Sequence, residues 1–264
     1  MNKKIGMQVF AVYEQYLREP EATLRSIASL GYEGVEFAGY ANMDVSHLRD
    51  LMDSLGMQSF STHVTFDRLQ SSLAQEMDDA LTLGCRYMVC PRIDAAQLST
   101  EEGVRDAADF LGQTAEILEQ SGIELCLHNH HTELVTLHGE MVLDRLLAGN
   151  GNKRVGLEWD AFWALFSDVQ PDAYIRSHPD DCPLYNLKDY VRLPKRALSP
   201  NASVVERVVD ALSGDCTLRH VPIGQGIGRC DEAIAYALSN PRIEWLIIEP
   251  VLYDMEPIAC LRES

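Results

Sequence analysis

The sequence predicts a (β/α)8 TIM barrel formed by a single domain over residues 1–264, and three observations lead to this fold class. Short apolar or β-branched runs, typical of buried parallel strands, occur eight times along the chain. Amphipathic segments with helical spacing separate these runs. The alternative, an open doubly wound sheet, normally carries a glycine fingerprint after its first strand, but this chain reads FAVYEQY at 10–16.

The predicted elements alternate regularly from one end of the chain to the other. The strands are 4–10, 34–39, 58–64, 86–91, 124–130, 155–160, 183–189 and 245–250. The helical segments are 21–31, 45–56, 73–84, 103–122, 139–147, 172–177, 203–214 and 231–238. Several of them end in glycine, which adopts the left-handed conformation of a helix C-terminus without strain. A further run at 220–226 predicts either a loop at the barrel mouth or an extra strand.

Composition excludes several classes of function. The net charge of −18 opposes a nucleic-acid partner, because phosphate binding requires clustered Lys and Arg. No apolar run is long enough to cross a membrane, and the first residues lack the apolar core of a signal peptide. The seven cysteines form no CxxC pair and several lie in apolar runs, which indicates free thiols. We therefore expect a cytoplasmic protein without nucleic-acid or membrane partners.

Acidic residues stand where predicted strands end. Glu133 follows ELCLHNH, Asp160 closes VGLEWD, and Glu249 closes WLIIEP, while the intervening run PLYNLKDY carries Asn186 and Lys188. A buried, unpaired carboxylate costs several kcal/mol. Active sites of this fold form at the carboxyl ends of the strands, where neighbouring strands are close together. The pattern therefore predicts that these acids converge on one metal ion.

The chain also resembles the sugar-phosphate isomerase/epimerase group of the xylose-isomerase-like barrels. The resemblance rests on GYEGVEF (31–37), THVTFD (62–67), LGCRYMVCP (83–91), HNHHTEL (128–134), GLEWDAFW (156–163), the stretch 172–190, PIGQGI (222–227) and WLIIEP (245–250). These segments follow in order over nearly the whole chain.

The resemblance implies one divalent ion held by Glu, Asp, His and Glu from the last four strands. Carried over, the ligands are Glu133, Asp160, position 186 and Glu249. The chain departs from the pattern at position 186, where Asn replaces the usual His. Because the amide offers an oxygen, the expected ion is Mn²⁺ or Mg²⁺, with Zn²⁺ or Co²⁺ as alternatives. The same departure is also compatible with a barrel that has lost its metal.

Further residues are expected to bind substrate. Alternation along the fifth strand places His128 and His130 on one face, and the resemblance favours both near the substrate. His63 ends the third strand. Trp163 either walls a sugar pocket or belongs to the core. Lys188 either points inward to stabilise an enolate or forms an ion pair with Asp189 or another neighbouring acid.

These residues predict a metal-dependent isomerase or epimerase that acts on a sugar or keto-sugar through an enediolate. Glu133 and Glu249 would move the proton between them. One alternative is a lyase or dehydratase on a 3-keto-glycoside or inosose, because the same intermediate can expel a leaving group. Another is a non-catalytic subunit with a degenerate metal site. A DNA-repair role is opposed by the charge. The sequence leaves open whether the chain forms a homo-oligomer or joins a partner subunit.

Overall fold

A computed structural model of the protein describes residues 3–151 and 153–264. The strands are β1 (Lys4–Gln8), β2 (Gly34–Phe37), β3 (Gln58–His63), β4 (Tyr87–Cys90), β5 (Glu124–His128), β6 (Thr136–Leu137), β7 (Glu140–Met141), β8 (Gly156–Asp160), β9 (Leu184–Leu187), β10 (Asp189–Pro194), β11 (Cys216–Val221) and β12 (Trp245–Ile248). Eight of them close a parallel barrel in the order β1-β12-β9-β8-β5-β4-β3-β2. The predicted fold class is confirmed, and the eight barrel strands are those expected from the sequence.

Helices surround this barrel. They are α1 (Tyr13–Arg18), α2 (Pro20–Ser29), α3 (Val45–Leu55), α4 (Phe66–Leu83), α5 (Ala95–Leu98), α6 (Glu101–Glu119), α7 (Val142–Ala148), α8 (Pro171–Ser177), α9 (Val204–Leu212), α10 (Cys230–Ser239) and α11 (Pro257–Glu263). Each predicted helical segment overlaps one of them. Gly56 and Gly84 end α3 and α4 with φ of 67° and 78°, which explains why glycine recurs at these positions. The main apolar core lies between the barrel and its helices.

The lumen of the barrel is built in layers. Successive side chains of a strand point to opposite faces, so every second residue points inward. A separate apolar cluster fills the amino-terminal end, where the rings of Phe60 and Trp245 stack with centroids 4.0 Å apart. The next inward positions towards the carboxyl ends are polar. They are Glu36, His63, His128, Glu158, Asp160, Asn186, Lys188 and Glu249, all buried except the half-buried His63.

An antiparallel ribbon of β10 and β11 stands outside the barrel, paired from Asp189 opposite Val221 to Pro194 opposite Cys216. The run at 220–226 was expected to be either a loop at the barrel mouth or an extra strand, and it is partly each. Its first two residues belong to β11 and the rest form a turn. The ribbon packs on the segment after β8 through an apolar cluster of Phe162, Trp163, Tyr190, Val209, Leu218 and Leu252. It therefore covers one side of the barrel mouth.

The seven cysteines are free, and all but Cys216 are buried. Among residues 3–151 and 153–264, no helix has both the length and the apolar character required to span a bilayer.

Candidate active site

Three adjacent strands bring polar side chains together at the mouth of the barrel. Register pairs Asp160 with Asn186 across β8 and β9, and Asn186 with Ile247 across β9 and β12. Glu249 lies two residues beyond Ile247 and Lys188 two residues beyond Asn186, so both continue the inward rows. The predicted convergence of Asp160, Asn186 and Glu249 is therefore present in the structure.

The Lys188 ammonium lies between two of these acids. It donates a hydrogen bond to Asp160 Oδ2 and forms an ion pair with Glu249 Oε2 at 2.7 Å. Burial lowers the pKa of Lys188, but the attraction of Asp160 and Glu249 outweighs it and raises that pKa above its ordinary value. Lys188 thus forms an ion pair with neighbouring acids, which was one of the two roles expected from the sequence, and it also lines the mouth cavity.

A second buried network lies beside the first. His128 Nδ1 is 2.7 Å from Glu158 Oε1, while His63 Nε2 is 3.1 Å from Glu36 Oε1 and 3.5 Å from Glu158 Oε2. Burial, followed by repulsion from Glu158, raises the pKa of Glu36 to about 7. Burial opposes the charged form of both histidines, but the acids outweigh it and raise the pKa of His63 and His128. The network therefore shares protons between acids and imidazoles.

Glu133 lies apart from this convergence. Its Oε2 accepts hydrogen bonds from the His130 backbone N–H at 2.8 Å and from Thr132 Oγ1 at 2.9 Å. It is fully buried, and burial raises its pKa. Glu133 does not line the mouth cavity or join Asp160 and Glu249 in a compact group of ligand atoms. The residue that β5 brings to these acids is His128, because alternation along the strand turns His128 inward, whereas Glu133 folds back onto its own loop.

A cavity of about 680 Å³ opens above these side chains. His63, His128, His130, Trp163, Lys188 and Glu249 all contribute to its wall. The ring of His130 lies 4.7 Å from that of Trp163, so the two form one aromatic side of the cavity. Burial, followed by repulsion from His128, holds the pKa of His130 well below its ordinary value and leaves its ring neutral at pH 7. The sequence-predicted substrate residues therefore share a single cavity.

The expected divalent ion needs several ligand atoms that lie close together and are free to bind it. Ligand atoms of His128, Asp160 and Glu249 lie within 4.8 Å of one another, a spacing that suits one ion. These acids, however, already accept hydrogen bonds from cationic or amide donors, because Lys188 bridges them and Asn186 Nδ2 donates to Glu249 Oε2 at 2.7 Å. The set departs from the expected pattern at position 186, where an amide stands for an imidazole. Both oxygens of Asp160 and Oε2 of Glu249 already accept from donors of the chain, so the donors as arranged do not fit a divalent ion unless Lys188 moves.

The GQGIG segment serves a carboxylate of the protein itself. The Gly224 and Gly226 backbone N–H groups donate to Asp189 Oδ2 at 2.9 Å, and the Gly228 N–H donates to Oδ1 at 2.8 Å. A Cβ on Gly226 would come within 2.3 Å of Asp189 Oδ1, so the segment needs glycine for this close approach. Asp189 therefore orders the mouth loop, and these amides are occupied.

Two contributors were missed in the sequence. Asp189 was considered only as a partner of Lys188, and Glu36 was passed over. Glu36 could have been found by the argument that singled out the acids at strand ends, because it is a lone acid inside the apolar run GVEFAG. The sequence around Asp189 does not indicate its role. The only indication is the group of glycines whose N–H groups bind it, and these lie 35 to 39 residues away.

Comparisons with known proteins agree with this architecture. A family profile described as xylose isomerase-like TIM barrel matches residues 24–257. A search of curated proteins finds no match. A sugar phosphate isomerase/epimerase from Parabacteroides distasonis ATCC 8503 is 17% identical with a TM-score of 0.75, and the alignment covers 99% of this chain and 96% of that one.

Two further solved structures are similar. An L-ribulose 3-epimerase is 14% identical with a TM-score of 0.72, with coverage of 99% of this chain and 92% of that one. A xylose isomerase-like TIM barrel protein from Mycobacterium smegmatis in complex with magnesium is 14% identical with a TM-score of 0.68, with coverage of 99% and 94%. At these identities the likeness establishes the fold.

Proposed function

Because this chain belongs to the xylose isomerase-like TIM barrel family, we propose that it is an isomerase or epimerase that acts on a sugar or keto-sugar by moving a proton next to a carbonyl. The observation that carries the proposal is the meeting of Lys188, Glu249 and His128 on the wall of one cavity at the carboxyl ends of the strands. The similarity to solved structures described as a sugar phosphate isomerase/epimerase and an epimerase supports it.

Lys188 is the group that we assign to the carbonyl oxygen of the substrate. An ammonium has three N–H donors, and two are directed at Asp160 and Glu249. The third is available to a substrate oxygen. A fixed positive charge at that oxygen stabilises the negative charge that develops when a proton leaves the adjacent carbon.

Glu249 is the base in this proposal. Its contacts with Lys188 and Asn186 both use Oε2, which leaves Oε1 for the substrate. The C–H bond breaks, its electron pair forms the C=C bond of the enediolate, and the proton stays on Glu249. Returning that proton to the neighbouring carbon gives an isomer once the hydroxyl proton of that carbon has moved to the original carbonyl oxygen. Return to the opposite face of the same carbon requires a second group that already carries a proton, and we assign it to His128, which lines the cavity. Burial lowers the pKa of that imidazole, but the attraction of Glu158 outweighs it and raises the pKa above its ordinary value.

The sequence also predicted catalytic Glu133 and a divalent ion, Mn²⁺ or Mg²⁺ first. Glu133 does not line the cavity, so its proposed role becomes the support of His130 through the backbone N–H that it accepts. The magnesium complex of a similar barrel is the best support for metal dependence. The donors as arranged do not fit an ion, so no step of the mechanism is assigned to one.

Exchange with solvent deuterium tests the proposal without knowledge of the exact sugar. The protein is incubated in D2O with aldoses, ketoses and keto-sugars, with and without phosphate, and carbon-bound deuterium is followed by NMR. We expect one substrate class to exchange, and Glu249→Gln to slow the exchange at least ~100-fold. The control Glu102→Gln, on an exposed face of α6, should exchange like the wild type.

Two results would overturn the proposal: no exchange with any of these classes, or full exchange by Glu249→Gln. The mass of the product separates the lyase alternative, because an isomerase conserves mass and a lyase releases a fragment or water.

A further inference from the structure

We propose that the ammonium of Lys188 is the resident cation of this site, held between Asp160 and Glu249 in place of the divalent ion that the fold family implies. The inference concerns the same site as the proposed function. It does not depend on which sugar is turned over.

The hydrogen bonds of Asp160 and Glu249 support the assignment. Asp160 Oδ1 accepts from the Phe162 backbone N–H at 3.0 Å, and Oδ2 accepts from Lys188. Glu249 Oε2 is shared by Lys188 and Asn186. Both oxygens of Asp160 and one oxygen of Glu249 are therefore satisfied by donors that belong to the chain. An ion that bound both acids would have to displace Lys188.

Burial makes that displacement costly. The Lys188 side chain is 3% exposed, so an ammonium that left these acids would lose both counter-charges with little water to replace them. The imidazole of His220, on β11, also lies near Lys188. Burial holds its pKa well below the ordinary value, so the ring is neutral and cannot serve as a counter-charge. Asn186 also carries no charge. Among the residues that the structure describes, the close counter-charges of Lys188 are thus Asp160 and Glu249.

The acid count favours one positive charge over two. The sequence-based ligand set had three carboxylates, but Glu133 is bound to its own loop, and two acids remain. With Lys188 in place the two acids and the ammonium carry a net charge of −1. A divalent ion added beside Lys188 would place two cations within a few ångströms of each other, which is strongly unfavourable in a buried site.

Removing the ammonium should therefore create a metal site. Lys188→Ala leaves Asp160 and Glu249 without their cation but keeps the cluster of ligand atoms. We expect Lys188→Ala to bind Mn²⁺ at least ~10-fold more tightly than the wild type, a difference of about 1.4 kcal/mol or more. Binding is measured with Mn²⁺ alone, without substrate, by calorimetry and by the loss of the free-ion electron paramagnetic resonance signal.

Two controls locate the effect. Lys195→Ala removes a lysine that pairs with Asp210 at the surface and should bind Mn²⁺ like the wild type. Lys188→Ala combined with Glu249→Gln should lose the gained affinity, because one of the two acids is gone. If Lys188→Ala is too unstable for calorimetry, its melting temperature should rise with Mn²⁺, while that of the wild type should not change with Mn²⁺ or with EDTA.

Equal Mn²⁺ affinity in the wild type and Lys188→Ala, whether tight or undetectable, would overturn the inference. So would a gain that survives in the double variant. The measurement uses no substrate, so its failure is distinct from failure of deuterium exchange, which tests the proposed function.

Discussion

At the scale of single residues, the alternation of side chains along each strand decides which of them face the site. Asp160, Asn186 and Glu249 could be placed from the sequence, because each lies on an inward row of a short strand whose end was recognised. The side-chain direction of Glu133 could not be predicted in this way. Glu133 lies beyond β5, in a loop whose side chains do not alternate between two faces. The partner of Lys188 was equally open, since two acids two strands apart hold it and neither is adjacent to it in sequence.

Asp189 provides a stability test at this scale. Its carboxylate accepts four backbone N–H groups, from Tyr190, Gly224, Gly226 and Gly228. Removing the acceptors leaves partly buried amides unpaired, and hydrogen bonds to a charged group contribute about 1.5–3 kcal/mol each. We expect Asp189→Ala to lower the free energy of unfolding by about 3 kcal/mol or more, measured by urea denaturation.

Asp210→Ala is the matched control for that experiment. It removes the partner of Lys195 in a partly exposed ion pair and should cost less than about 1 kcal/mol. Equal losses in the two variants would show that Asp189 does not order the glycine segment.

At the scale of elements, the ribbon of β10 and β11 is joined to the segment after β12, which carries Glu249. His220 in β11 accepts a hydrogen bond from the Val251 backbone N–H at 2.8 Å, and its ring meets Phe162 edge to face at 4.7 Å. The ribbon therefore holds the chain just beyond Glu249. The sequence indicated an extra strand here but gave no partner for it, because β10 had been assigned in part to the barrel strand before it.

His220 makes the stability of this junction depend on pH. Burial, then the positive charge of Lys188, holds its pKa well below the ordinary value, so the folded ring stays neutral while the unfolded ring takes up a proton near pH 6.5. The stabilisation is complete above that pH and is lost as pH falls below it, by up to about 1.4 kcal/mol per pH unit. We expect His220→Gln to reduce the loss of stability between pH 7 and pH 5, measured by urea denaturation at each pH. An unchanged slope would contradict this role.

The base of the lumen is a second element that can be tested. A Cβ on Gly34 would lie 2.7 Å from both the Gln58 carbonyl oxygen and the Trp245 ring. Backbone cannot move aside easily, so Gly34→Ala should lower the free energy of unfolding by about 3 kcal/mol. Gly122→Ala has open space and only a positive φ of 77°, and should cost about 1 kcal/mol. The reverse order in thermal denaturation would contradict the packing.

At the scale of the whole molecule, the fold was predictable and the chemistry of the site only in part. Eight strand runs and the glycines after the helices were enough for a closed barrel, since both signals are local. The site depends on contacts between distant segments, such as the bridge from Lys188 to Glu249 and the pairing of His63 with Glu36. Those contacts determine which residue is the cation, and no local pattern contains that information.

Deuterium incorporation into the responsive sugar, followed by NMR, tests directly whether Lys188 or a metal ion supplies the positive charge and whether Glu249 is the base. It is measured for wild-type protein with and without EDTA treatment and for Glu249→Gln. The account predicts that the treated wild type exchanges as fast as the untreated protein, because Lys188 supplies the positive charge, and that Glu249→Gln does not exchange. Exchange that stops with EDTA and returns with Mn²⁺ would contradict the account of the cation, and equal exchange by both proteins would contradict the account of the base.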